Sequence, residues 1–164
     1  MMSCSSAAPG PHAVEVFRAL AVLLDGDDPP RSRHAITLLD VDRLTEINLA
    51  YGRPAGAAVL ERVSTALEHA LKPGERAAYW AGDQYVVLLP GASRRAALRR
   101  TRRILTSVGS ASAGGLAVSV SAGVAVYPVD GTTTSALVEA AAVALRRAKR
   151  QGRGRVRGLP RLAL

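Results

Sequence analysis

Two aspartates that lie far apart in the chain carry the chemistry this sequence offers. The apolar run Leu38-Leu39 ends in Asp40-Val41-Asp42, and Asp83 stands in the segment Ala81-Gly82-Asp83-Gln84-Tyr85. A strand that delivers Asp40 beside a tight turn carrying Asp83 builds a two-carboxylate metal site, because hard carboxylate oxygens suit divalent cations. Gly82-Asp83 has the turn chemistry of a hairpin tip, with strand-like runs on either side at Ala77–Trp80 and Tyr85–Leu89. Each carboxylate also has a plain structural use. Asp42 is placed to cap a following helix, and Asp83 is a common turn residue.

The elements that position these residues follow from periodicity. Apolar residues at 16, 17, 20, 23 and 24 predict a helix over Val14–Leu24, followed by a loop from Asp25 to Arg33. Ala35–Leu39 reads as a strand, and Arg43–Ala50 as a short helix stopped by Gly52. Pro54 opens a long helix with Val59, Leu60, Val63, Leu67, Ala70 and Leu71 on one face. After the hairpin, Ser93 is the expected N-cap of a helix to Val108, with arginines 94, 95, 99, 102 and 103 on its exposed side. Leu116–Tyr127 reads as a strand pair with Gly123 at a bend or bulge. Thr134–Arg150 is a final helix ended by Gly152. This is an α+β order, predicting a mainly antiparallel central sheet flanked by helices.

With 164 residues the chain has the size of one domain. Residues 1–12 have the composition of a disordered N-terminus, 13–33 form a lead-in helix and loop, the folded domain runs over 13–157, and 158–164 form a basic tail. One cysteine, Cys4, allows no internal disulfide, and no apolar stretch approaches the ~18 residues of a membrane span. No secretory signal is apparent, so the expected location is cytoplasmic. His12, His34 and His69 lack metal-ligand spacing. The net charge of +9 is uneven, at −3 over residues 1–83 and +12 over 84–164. Arg146–Arg161 holds 8 basic residues and no acid. That run could bind nucleic acid through counterion release, but no interleaved aromatics provide a stacking platform. Solvated helix faces explain it more simply.

The motifs taken together resemble the GGDEF domain of diguanylate cyclases over residues 34–157. The resemblance rests on Asp40-Val41-Asp42-Arg43-Leu44-Thr45-Glu46-Ile47-Asn48, Tyr51-Gly52 and Gly56, and on the Ala81–Tyr85 hairpin with Leu88-Leu89-Pro90. Val118–Val124 and Ala144–Lys149 followed by Gly152-Arg153 complete it. It implies a βαββαβ core like that of nucleotidyl cyclases. It also implies a reaction in which two GTP molecules, held across a dimer of such domains, become cyclic di-GMP with the help of Mg²⁺. By motif position the resemblance assigns Asp40, Asp83 and the Val41 carbonyl to the metal. It assigns Asn48 to guanine, and Lys149 and Arg153 to terminal phosphates.

Several positions depart from the pattern. Gln84 stands where the signature has glutamate, and an amide has neither its charge nor its basicity. Ala57 replaces the aspartate that pairs with guanine, and Thr45 stands where a lysine is usual. Ala81 replaces the first signature glycine, and Lys72-Pro73-Gly74-Glu75 occupies the place of an Arg-x-x-Asp product site. The expectation is a catalytically impaired signalling domain that binds a guanine nucleotide weakly, or binds a protein such as another GGDEF domain or a second copy. A slow cyclase and a nucleic-acid-associated protein are the alternatives.

Overall fold

The computed structural model describes residues 11–26, 33–110 and 115–160. Strand β1 (His34–Val41) is buried along its whole length, as an apolar run bounded by polar residues requires of a central strand. Around it come α1 (Pro11–Gly26), α2 (Leu44–Tyr51), α3 (Arg53–Ala70), β2 (Arg76–Ala81), β3 (Gln84–Leu89), α4 (Arg94–Gly109), β4 (Val120–Tyr127), α5 (Thr134–Arg150) and β5 (Val156–Gly158). The five strands lie in the order β2-β3-β1-β4-β5. Three pairings are antiparallel and β4–β5 is parallel. This is the α+β, mainly antiparallel architecture that the pattern predicts.

Alternation along the strands divides the core into two layers. Leu39, Val41, Val87, Leu89, Val120 and Val124 face α3 and α4, meeting Val59, Val63, Leu67 and Ile104. Ile36, Leu38, Val86, Leu88 and Ala125 face α1 and α5, meeting Val16, Leu20, Leu137 and Leu145. Each Val, Leu or Ile among them, fully buried, contributes about 1.5–3 kcal/mol before entropy is charged against it. Trp80 packs edge-on against Phe17 of α1, with ring centroids 5.4 Å apart.

Ser93 and Thr133 cap α4 and α5 by accepting from the backbone N–H groups of Ala96 and Ala136. Other boundaries differ from the sequence reading. Helix α1 begins at Pro11, which suits a first helical turn, so residues 11 and 12 belong to it. Residues 1–10, and with them most of the expected disordered segment, lie outside the described residues, as do 27–32, 111–114 and 161–164. Leu116–Tyr127 contains one long strand, not a pair, and Gly123 keeps regular register opposite Leu38. Its glycine serves close packing: a Cβ there would lie 2.1 Å from the Ala141 carbonyl oxygen and 2.3 Å from the Leu145 nitrogen. The irregularity sits instead in β2, between Tyr79 and Ala81. The basic run is no free arm, since residues 146–150 end α5 and 156–158 form β5. Gly158, assigned from sequence to the tail, is the last residue of that strand.

Candidate functional site

β1 and the β2–β3 hairpin end together, and their ends make the site. Asp40 pairs in register with Gln84, and the Val41 N–H donates to the Asp83 carbonyl at 2.9 Å. Sheet pairing therefore fixes Asp40, Val41, Asp83 and Gln84 as one group. Tyr85 anchors the hairpin to α3, its hydroxyl donating to the Leu60 carbonyl at 2.9 Å and lying 3.1 Å from the Ser64 hydroxyl.

Asp40 is almost fully buried, and Lys149 Nζ approaches its Oδ1 to 2.6 Å from the last turn of α5. Gln84 Nε2 donates to Asp40 Oδ2 at 3.3 Å. Burial nevertheless pushes the carboxyl up, from a usual 3.8 to about 6, with the nearby Asp83 charge adding to the effect against Lys149 and Gln84. Lys149 is thus the one cation at Oδ1, and Gln84 the one donor at Oδ2, among the described residues.

These features fit a divalent cation. A buried carboxyl pushed up by burial, with a second carboxylate's charge beside it, is what such an ion relieves. Asp40, Asp83 and the Val41 carbonyl would hold it. Among the described residues no group of three or more His, Cys, Asp or Glu comes together, so the donor set has two carboxylates and no third. Gln84 fills the remaining place with its N–H turned toward Asp40.

The other assigned residues form separate walls. Asn48 lies on α2 against Gly56 of α3, where a Cβ would come within 1.8 Å of the Asn48 Oδ1. That oxygen is buried without a hydrogen-bond partner. The Asn48 backbone carbonyl accepts from the Gly52 N–H at 3.0 Å, so the residue helps to close α2 while its side chain lies on α3. Ala57 and Thr45 are exposed. Arg153 follows α5 in a left-handed turn (φ 60°) and is exposed; the cation paired with Asp40 is Lys149.

Asp42 does not cap α2. The N-cap position is Arg43, which has φ 61° and makes no side-chain cap. Asp42 instead accepts from the hydroxyls of Ser119 and Ser121, each at 2.7 Å, and from the Gly154 N–H at 3.0 Å. It ties β1 to β4 and to the loop that carries Arg153. The Ser-Val-Ser alternation at 119–121 was the available sequence signal, since it aims two hydroxyls from one strand.

Comparison with known proteins places this geometry in a family. Residues 17–155 match the family model described as "Diguanylate cyclase, GGDEF domain". The chain belongs to the GGDEF family. The sequence is 33% identical over 126 residues to diguanylate cyclase A of Treponema denticola, covering 74% of this chain and 34% of that protein. It is 34% identical over 129 residues to diguanylate cyclase TpbB of Pseudomonas aeruginosa, covering 76% and 30%. This GGDEF domain thus spans about a third of the length of those relatives. The solved GGDEF domain of TpbB superposes with a TM-score of 0.81 at 31% identity, covering 92% of this chain and 98% of that one. Diguanylate cyclase SiaD, solved with its activator SiaC, gives 0.74 at 28% identity over 85% and 56%. Among the described residues no helix is long and apolar enough to cross a membrane.

Proposed function

We propose that this GGDEF domain serves cyclic di-GMP signalling with its cyclase chemistry impaired, by weak guanine-nucleotide binding or through a protein partner. The observation that carries the reading is the Gln84 amide donating to Asp40 Oδ2 at 3.3 Å. A donor stands where a carboxylate could serve a metal or a reacting hydroxyl, and an amide takes up no proton near neutral pH. Loss of a general base alone removes about 10²–10⁴-fold in rate. Ala57 adds the loss of a charge-assisted hydrogen bond to guanine, about 1.5–3 kcal/mol. Bound Mg²⁺ would supply charge neutralisation on phosphate. The residues left to support binding are Asp40, Asp83, Lys149, Arg153 and Asn48. A second GGDEF domain, or an activator of the kind that accompanies SiaD, is the partner class this reading favours.

Incubation of concentrated protein with GTP and Mg²⁺ or Mn²⁺, with products separated by chromatography, tests the reading. No cyclic di-GMP over many hours is the expected result. Product that disappears in Asp83→Ala would establish the second reading, a slow cyclase. Retention of Asp40 beside Lys149, with the Asp83 charge acting on it, is the observation in favour of that alternative.

A further inference from the structure

The arginines of this domain fall into two groups. Arg94 and Arg100 of α4 are each paired with a carboxylate, Asp130 and Glu75 respectively. Among the described residues Arg102, two residues past Arg100, has no such partner, and neither do Arg155, just before β5, and Arg157 within it. These three unpaired guanidiniums line one cleft of about 430 Å³ between α4, the start of β4 and β5. Among the described residues no acidic side chain lines it. Leu105, Val118 and Val120 give it an apolar floor.

The walls are anchored. Ser119 and Gly154 both line the cleft and both bond Asp42, at 2.7 and 3.0 Å. Arg155 Nε donates to the Arg153 carbonyl at 2.8 Å, and Arg157 Nη1 to the Val156 carbonyl at 2.9 Å. Two of the three cations are therefore held partly in place before any ligand arrives. Preorganised guanidinium forks bind phosphate oxygens in pairs, which point charges do not. The cleft has the volume of a small-molecule site. Its loop wall carries Arg153, but its arginines are not those of the Asp40 site.

We propose that this cleft is a second anion site, which takes the phosphate chain of a small polyphosphate-bearing molecule. Two sources share that chemistry, an inorganic polyphosphate and a nucleotide whose base would lie on the apolar floor. The site does not rest on the reading of Gln84, and its test involves no turnover.

The test is calorimetric titration of the full chain, without metal, with inorganic tripolyphosphate and separately with GTP. Arg102→Ala/Arg157→Ala is expected to weaken tripolyphosphate about tenfold or more, since two charge-assisted contacts go. Arg99→Ala/Arg103→Ala, on the exposed side of the same helix, is expected to change it less than about threefold, as general screening predicts. Arg102 is exposed, so Arg102→Ala alone keeps the test readable if the double variant melts early. Tighter binding of GTP than of tripolyphosphate in Lys149→Ala would identify the nucleotide as the source, and the reverse would identify the inorganic chain. Equal losses in the two double variants would mean diffuse basic attraction and overturn the proposal. So would loss of tripolyphosphate binding in Lys149→Ala, or no binding at all.

Discussion

Two carboxylates in this domain each meet a cation at 2.6 Å, and they respond in opposite directions. Glu75 is pushed up by burial, but Arg100, the Lys72 N–H and the charges of both residues outweigh that and hold it below its usual value. Asp40 is pushed up by burial too, and there burial wins, with Asp83 adding to it. The geometry explains the difference. Arg100 grips both Glu75 oxygens, at 2.7 and 2.6 Å, and also donates to the Ala70 carbonyl. Lys149 offers one ammonium, a third exposed, to a carboxylate that has a like charge beside it. The first pair is a clamp between α3, β2 and α4. The second is a charge arrangement in which Lys149 and Gln84 do not offset burial and the Asp83 charge. The clamp turns Glu75 inward, toward α4.

The largest effect should come from breaking the clamp. Arg100→Ala strands a largely buried carboxylate and the Ala70 carbonyl, and is expected to cost about 3 kcal/mol in urea unfolding. Asp40→Asn should cost less than about 1 kcal/mol, or stabilise slightly, because it removes a desolvated charge that Asp83 repels and lets Lys149 turn to water. Equal costs would erase the distinction between the pairs.

Acid separates them further. The folded-state pKa of Asp40, about 6, lies above its unfolded 3.8, so the native state takes the proton more readily. Its contribution to stability therefore rises as pH falls from above 6 toward 4. Glu75 has the opposite sign: its contribution is present above the unfolded value of 4.5 and is lost as pH falls through its lower folded value. Carboxyl carbon NMR without metal should find the Asp40 midpoint near 6. Saturating Mg²⁺ should lower that midpoint by about one unit or more if the two aspartates hold the ion. An unmoved midpoint would remove the metal from the site. The smallest effect is expected at Arg43, whose 4.0 Å contact with Glu46 is exposed on both sides. Arg43→Ala should change stability by less than about 0.5 kcal/mol in the same unfolding assay.

The sheet and its helices could be read from the sequence because the signals were local. Ser93, Thr133, Gly82 and the apolar stripes each act within a few residues. The meeting of Asp40 with Asp83 was legible through the motifs of the resembled family, since neither segment by itself says where the other lies. What escaped was non-local. Asp42 reads as a helix cap until Ser119, Ser121 and Gly154 are seen to surround it. Arg100 is one of seven basic side chains between residues 94 and 146, and nothing local marks its partner as Glu75. Gly123 looks like a bend because the carbonyl that crowds it belongs to a helix met later in the chain. Strand β5 has three residues, too few to show a period.

The central claim is that the defect is local to Gln84 and Ala57 on a scaffold that still positions Asp40, Asp83 and Lys149. Gln84→Glu/Ala57→Asp, assayed with GTP and Mg²⁺ beside the unaltered chain, tests it most directly. Cyclic di-GMP from the double variant, absent or far lower in the unaltered chain and abolished by adding Asp83→Ala, is the predicted result. No product from the double variant would contradict it, and would mean that the surrounding geometry, not two side chains, has departed from a working cyclase.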